Sequence, residues 1–186
     1  MHFFSTLITG FGATLCFAAF SWGVSKHFRS TGAMPLGMKL TSLLSLALFA
    51  FFVWHIAQGA SGLWLVSLGL FAGSLAVFAA AVAASRHTPP TLAFDTDAPD
   101  FLLQHGPYRY VRHPFYLAYI LFWLGTAVAV QGFFGWVAPI LMTALYIEAA
   151  TREERKFANS DLADAYNAYR ARAGMFWPRP WARLAG

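Results

Sequence analysis

Two groups of polar side chains in this sequence have the residue types needed to bind a charged small molecule. The first is the stretch GPYRYVRHPFY at residues 106–116, where Pro107 and Pro114 enclose two arginines and a histidine. Proline suits the first turn of a helix, so His113 is expected near a helix N-terminus, where free backbone N–H groups favour anionic groups. The second group is acidic and consists of Glu148, Glu153 and Glu154.

Each group also has a simpler interpretation. Arg109 and Arg112 would serve as a positively charged stop that orients a membrane span, although this leaves the prolines and interleaved tyrosines unexplained. Glu153 and Glu154 would pair with neighbouring basic residues on a solvated helix end, and composition supports this as well as it supports a binding role. Position favours function, because a cationic, aromatic loop facing carboxylates forms a pocket for a zwitterionic ligand.

The composition indicates a membrane protein. The chain has 186 residues, of which 58% are hydrophobic and only 11% are charged, whereas soluble domains carry about 25% charged residues. We therefore expect one all-α membrane domain over residues 1–186. Residues 1–85 would hold three N-terminal spans, and residues 86–186 a polar loop, a helical hairpin and a tail.

Hydrophobic runs predict about five transmembrane helices. A span needs about 20 mostly apolar residues. The qualifying runs are Phe3–Val24, Leu36–Ala57 and Leu63–Ser85, followed by an apolar block that Gln131, Gly132 and Gly135 divide into Pro114–Trp136 and Val137–Ala150. Within the third run, Gly69 and Gly73 have the spacing that lets two helices pack closely.

The positive charges predict the orientation. In a five-span arrangement every Lys and Arg lies on one side, in the first loop, the third loop or the tail. Positive charge marks the cytoplasmic side, so we expect the N-terminus outside and the C-terminus in the cytoplasm of a bacterial inner membrane. The basic tail then meets anionic lipid, which is a simpler account than nucleic-acid binding.

A short amphipathic helix is predicted in the tail. Ser160 is a suitable N-cap, Gly174 is suited to the position after a helix end, and Tyr166 and Tyr169 share one face. Periodicity alone favours a surface anchor at the membrane over a lid packed on the polar loop.

Other chemistries have little support in the sequence. There is no His-Glu-x-x-His motif and only one cysteine, Cys16, so no metal site is expected. A G-x-G-x-x-G motif after a strand is also missing, and a soluble dinucleotide-binding fold is not indicated.

The C-terminal half resembles the isoprenylcysteine carboxyl methyltransferase family and its relatives, the phospholipid N-methyltransferases. The resemblance lies in GPYRYVRHPFY at 106–116, EERKF at 153–157, AYNAYR at 165–170 and FWPRP at 176–180. It covers roughly the last 80 residues in order and spacing, and the first three spans match only as spans.

This resemblance implies an integral membrane enzyme that binds S-adenosylmethionine on the cytoplasmic side and methylates a hydrophobic or lipid-borne acceptor. One wall of the cofactor pocket would consist of Gly106, Pro107, Tyr108, Arg112, His113, Pro114 and Tyr116. Glu153 or Glu154 would form the other wall, and Tyr166 and Tyr169 would belong to a closing helix. The lid interpretation of the tail then becomes the stronger one.

The residues leave the acceptor open. A carboxylate acceptor is already ionised and could be oriented by Arg112, or failing that by Arg109, through a forked pair of hydrogen bonds. An amine acceptor must first lose a proton and would need a base. The alternatives to an isoprenylcysteine-type enzyme are a phospholipid N-methyltransferase, a sterol-reductase-like enzyme that uses NADPH, and a non-enzymatic membrane accessory protein.

Overall fold

The fold is entirely helical in the part of the chain that can be described. The computed structural model describes residues 2–29, 33–59, 63–91, 99–130 and 132–179. Within these ranges the β pairing is limited to two isolated bridges, Arg29 with Thr91 and Val111 with Gly174. The predicted all-α class is confirmed.

Six α-helices and three shorter helical turns follow one another along the described part of the chain. The α-helices are α1 (His2–Trp22), α2 (Leu36–Ala57), α3 (Trp64–Ser85), α4 (Pro114–Val130), α5 (Val137–Ala158) and α6 (Ala163–Arg172). A π-helical turn, Gly23–His27, extends α1, and 3₁₀ turns at Gly106–Arg109 and Phe133–Trp136 precede α4 and α5. Four of the described segments are long and apolar enough to cross a membrane: Phe3–His27, Leu36–Ala57, Trp64–Ser85 and Phe133–Ala158. Helix α4 is a shorter apolar helix of 17 residues.

The predicted hairpin is present, with two changed boundaries. The first arm was expected to reach Trp136, but α4 ends at Val130. Its turn contains Gly132 at a positive φ of 89°, a conformation that glycine adopts without a Cβ penalty. Gln131 lies outside the described residues. The expected second arm, Val137–Ala150, was too short, because α5 continues to Ala158. Glu153 and Glu154 therefore lie on the spanning helix itself.

Helices α3 and α4 form the centre of the bundle. Ser67 donates a hydrogen bond from Oγ to the carbonyl of Gly125 at 2.9 Å, and Ser74 donates to that of Ala118 at 2.7 Å. The ring of Phe71 packs where a side chain at Gly125 would otherwise lie. Small residues on these facing surfaces thus let the two helices approach closely.

The predicted role of Gly69 and Gly73 in close packing was wrong. A Cβ placed on either glycine meets no atom within 4 Å among the described residues, so both face away from the bundle. The close approach uses another face of α3, which carries Ser67, Phe71 and Ser74. The spacing of glycines alone does not say which face of a buried helix meets its neighbour.

The polar ends of α1, α3 and α4 meet on one side of the bundle. His27 Nε2 lies 2.8 Å from Ser85 Oγ in a buried hydrogen bond between α3 and the end of α1. Arg29 donates its backbone N–H to the carbonyl of Pro90 and its Nε–H to that of Pro89. These contacts bring the first and third loops together, as the alternation of spans requires.

The α3–α4 contact yields a matched pair of substitutions. A Cβ at Gly125 would lie 2.5 Å from the buried ring of Phe71, whereas one at Gly73 meets nothing within 4 Å in the described structure. We expect Gly125→Ala to lower the free energy of unfolding by about 1–3 kcal/mol through overpacking. Gly73→Ala should leave it unchanged or raise it by up to about 1 kcal/mol, because alanine is the better helix former. Unfolding in detergent measures both, and equal effects would contradict the packing described.

Candidate functional site

The loop before α4 is shaped by glycine and proline. Gly106 has a φ of +57°, which favours glycine, and it opens the 3₁₀ turn that buries Tyr108. The backbone N–H groups of Tyr110 and Val111 both donate to the carbonyl of Pro107. Pro114 then begins α4, as predicted. This loop places Arg112 and His113 immediately before α4, at the end of the hairpin opposite its turn.

The segment after α6 pairs with this loop through its backbone. Arg112 and His113 donate their N–H groups to the carbonyls of Gly174 and Met175 at 2.7 and 3.1 Å, and Gly174 donates to the carbonyl of Tyr110 at 3.1 Å. A Cβ on Gly174 would overlap the carbonyl oxygen of Trp177, so only glycine fits here. We call residues 163–179, which comprise α6 and this paired segment, the lid.

An ion pair between Arg112 and Glu154 lies at the centre of the site. The Nε and Nη2 groups of Arg112 donate to Glu154 Oε1 at 2.9 and 2.8 Å, and its Nη1 donates to the carbonyl of Ala173 in the lid at 2.5 Å. The two side chains are only 5% and 9% exposed. One guanidinium therefore joins the loop, α5 and the lid.

His113 reaches both carboxylates of the pair on α5. Its Nε2 lies 3.2 Å from Glu154 Oε1, and its Nδ1 lies 3.5 Å from Glu153 Oε2. Burial alone would lower the pKa of this imidazole, but hydrogen bonds and the negative charges of Glu153 and Glu154 outweigh burial. The net effect raises the pKa above its usual value of 6.5. His113 thus tends to carry a positive charge between the two acids.

Glu153 differs from Glu154 in what it faces. The hydroxyl of Tyr116 donates to Glu153 Oε1 at 2.5 Å, and the side chain of Glu153 remains 34% exposed. Glu153 lines a cavity, and it presents its carboxylate there beside the aromatic rings of α4. Of the two acids, Glu153 is the one placed to meet a ligand.

The cavity runs from this polar end into the apolar part of the bundle. Its volume is about 510 Å³, within the range of small-molecule sites. The polar end is lined by Tyr108, Arg112, His113, Pro114, Tyr116, Glu153, Tyr166 and Tyr169. The apolar part is lined by α1, α2, α4 and α5, including Phe20, Ser42, Ser45, Tyr119, Phe122 and Tyr146. A ligand with a polar end and an apolar end fits this distribution.

The two lid tyrosines are equally buried but differently bonded. Both are 3% exposed. The Tyr169 hydroxyl donates to the carbonyl of Tyr108 at 2.6 Å and so fastens α6 to the loop. The Tyr166 hydroxyl is buried without a hydrogen-bond partner among the described residues. This packing matches the lid interpretation of the tail rather than a surface anchor.

Some expected residues lie away from the cavity. Arg109 and Gly106 are exposed, and neither they nor Pro107 line it in the described part of the chain. Glu148, which was expected to face a partner or a pocket, is exposed on α5 and pairs with Arg152 at 2.7 Å. Ser160 is not the N-cap of α6, which begins at Ala163 after Leu162.

Several residues that line the cavity were not predicted from the sequence. Tyr119 and Tyr146 line the middle of the cavity, where their rings lie 5.5 Å apart, and Tyr146 Oη accepts a hydrogen bond from Trp123 Nε1. Tyr146 is two helical turns before Glu153, so it lies on the same face of α5. That spacing was a usable signal. The contribution of Ser42 and Ser45 from α2 had no comparable signal.

Loss of the buried guanidinium should release the lid. We expect Arg112→Gln to lower the free energy of unfolding by about 3 kcal/mol, because the buried Glu154 loses its forked partner and keeps only His113 close by, while the lid loses the hydrogen bond at Ala173. Arg152→Gln is the matched control, since its pair with Glu148 is exposed, and its cost should stay below about 1 kcal/mol. Unfolding in detergent and protease cleavage within residues 159–179 measure the effect. Equal protection of the lid in both variants would contradict the assigned role.

The raised pKa of His113 predicts that stability depends on pH. Protonated His113 is stabilised in the folded state by Glu153 and Glu154, against the nearby positive charge of Arg112. This contribution is fully present below the unfolded pKa of about 6.5, and it is lost as pH rises through the higher folded pKa.

Thermal unfolding of the wild type should therefore move to lower temperature as pH increases above 6.5. His113→Gln should flatten this part of the profile. An identical profile in the variant would show that another group is responsible.

A family profile described as phospholipid methyltransferase matches residues 60–164, which is more than half of the chain. The match includes α3, the loop, the hairpin and the start of the lid, and it confirms the resemblance found in the sequence. No curated protein and no solved structure matches the chain significantly.

Proposed function

The chain belongs to the phospholipid methyltransferase family, and on that premise we propose that it transfers a methyl group from S-adenosylmethionine to a lipidic or small hydrophobic acceptor. The observation that carries this proposal is the single cavity that joins a polar, charged end to an apolar interior. A water-soluble donor and a lipid-borne acceptor need such a continuous space to meet.

The residues at the polar end fit this cofactor. S-adenosylmethionine is a zwitterionic molecule with hydroxyl, amino and carboxylate groups. Glu153 offers a partly exposed carboxylate to a hydroxyl or amino donor, and its position is fixed by the Tyr116 hydroxyl. His113, Tyr108 and Pro114 line the same end of the cavity. Arg112 and Glu154 would support the site by holding the lid rather than by touching the cofactor.

When bound, the cofactor would supply a methyl group carried on a positively charged sulfur, and in-line attack on the methyl carbon by the acceptor would displace that sulfur as a neutral thioether. The residues of the chain contribute position and exclusion of water. Apolar walls from Phe20, Phe122 and Tyr119 would keep water from the deeper part of the cavity. The lid covers the polar end through its backbone pairing with Arg112 and His113.

Because Arg112 is already hydrogen-bonded within the protein, an amine acceptor is favoured as a second, more specific candidate. A carboxylate acceptor would need a cation to orient it, and the guanidinium of Arg112 is already bonded to Glu154 and to the lid. An amine acceptor needs no such cation, although it must first pass a proton to a base or to water before it attacks the methyl carbon. N-methylation of an aminophospholipid-type headgroup is therefore better supported than methyl esterification.

We place the site at the cytoplasmic membrane face. The positively charged residues lie at the ends of α1, α3 and α5, in the first turn of α2, before α4 and in the tail, all on one side of a spanning bundle. The positive-inside rule then assigns that side to the cytoplasm, with the N-terminus outside. An inner membrane of a bacterium remains the expected setting.

Cofactor binding tests the proposal directly. Purified protein in detergent should bind S-adenosylmethionine or S-adenosylhomocysteine in calorimetry. Glu153→Gln should weaken that binding by about 10- to 100-fold, the effect of losing a hydrogen bond to a charged group. Glu148→Gln, on the exposed face of the same helix, serves as the control and should bind as the wild type does.

Two results would contradict the proposal. Binding of NADPH in place of S-adenosylmethionine would favour a reductase, and binding of neither would favour an accessory protein. The acceptor class needs a separate assay, in which the protein and labelled cofactor are incubated with a membrane lipid extract. A methyl ester releases volatile methanol in alkali, whereas an N-methyl product keeps its label.

A further inference from the structure

The hydroxyl of Tyr166 is a buried polar group that lacks a partner. Tyr166 is 3% exposed, lies on α6 and lines the polar end of the cavity. In the described part of the chain no atom makes a hydrogen bond to its Oη. Buried polar groups are almost always paired, and an unpaired one is costly. An explanation is therefore needed for its retention beside a cavity.

The position of the Tyr166 ring is fixed by its neighbours. It stacks on Phe157 with ring centroids 4.7 Å apart and planes 9° apart. It also lies edge-on to Tyr169, with centroids 6.2 Å apart. The ring is held from two sides, so its hydroxyl stays directed at the same place whether or not it has a partner.

The nearest charged groups leave this hydroxyl without a well-formed hydrogen bond. Arg112 and Glu154 lie close enough to interact with Tyr166, and burial together with the charge of Glu154 raises its pKa. No contact between either group and the Tyr166 hydroxyl, however, has the distance and angle of a hydrogen bond. Arg112 donates to Glu154 Oε1 and to the carbonyl of Ala173 instead, and the same carboxylate oxygen lies near His113. Tyr166 thus borders this network and lines the cavity.

Two other unpaired buried atoms provide a contrast. Thr9 Oγ1 and His55 Nδ1 also lack a partner among the described residues, but neither residue lines this cavity. Tyr166 alone of these three combines an unpaired group with a place in the cavity wall. Its neighbour on the same helix, Tyr169, uses its hydroxyl to bind the carbonyl of Tyr108.

We propose that the Tyr166 hydroxyl is the lid's hydrogen-bonding contact with the bound cofactor, while Tyr169 is a positioning residue that holds the lid on the loop. This division rests on the proposed function, since it takes S-adenosylmethionine as the ligand of the polar end. The lid would then close the site and also complete it, by bringing one polar group of α6 to an oxygen or nitrogen of the cofactor.

Two single-atom deletions separate these roles in the full-length protein in detergent. Tyr166→Phe removes an unpaired hydroxyl, so the ligand-free protein should unfold at the wild-type temperature or above it. Its affinity for S-adenosylhomocysteine should fall by about tenfold, the loss of one neutral hydrogen bond. Tyr169→Phe removes a satisfied hydrogen bond, so the ligand-free protein should unfold at a lower temperature, with a smaller loss of affinity at a temperature where it is folded.

The outcomes distinguish this inference from the function on which it rests. Failure of the wild type to bind S-adenosylmethionine or S-adenosylhomocysteine would remove the proposed function. Wild-type binding with unchanged affinity in Tyr166→Phe would overturn the contact while leaving that function intact. A drop in the unfolding temperature of ligand-free Tyr166→Phe as large as that of Tyr169→Phe would also overturn it, because the hydroxyl would then have a partner in the protein.

Discussion

The buried pair of Arg112 and Glu154 is the constraint on which the site depends. A charge removed from water must be compensated by partners in good geometry, since the cost of leaving it unpaired is several kcal/mol. Arg112 meets this requirement by bonding α5 through Glu154 and the lid through the carbonyl of Ala173. The hairpin, the loop and the lid therefore take up their positions together, and displacing any one of them breaks a hydrogen bond of the buried guanidinium.

The helical repeat explains why two adjacent acids have different roles. Neighbouring residues on an α-helix point about 100° apart, because one turn contains 3.6 residues. Glu154 consequently faces the loop and the lid, while Glu153 faces Tyr116 and the cavity. A pair of consecutive glutamates thus supplies one carboxylate to hold the structure and another to face a ligand. His113 lies between them, and its raised pKa reflects both charges.

The sequence was sufficient for the parts of the fold that depend on local patterns. Long apolar runs located the spans, Gly132 located the hairpin turn, and Pro114 marked the start of α4. It was insufficient wherever the outcome depended on which face of a helix meets a neighbour. Gly69 and Gly73 have the right spacing but face outward, and Glu148 lies near the predicted cytoplasmic end of α5 but pairs with Arg152 on the surface. The different bonding of Tyr166 and Tyr169 is likewise a tertiary property that their similar spacing cannot reveal.

The abrupt change from polar loop to apolar helix at Pro114 follows from the same geometry. The loop carries the backbone N–H groups that pair with the lid, and the helix it begins carries Tyr116 and Tyr119 into the cavity wall. The lid and its ion pair lie at the polar end of the cavity, whereas α1 and α2 contribute Phe20 and Ser42 to its wall. The polar and apolar walls of the cavity therefore come from different elements, and His113 and Pro114 lie at their junction.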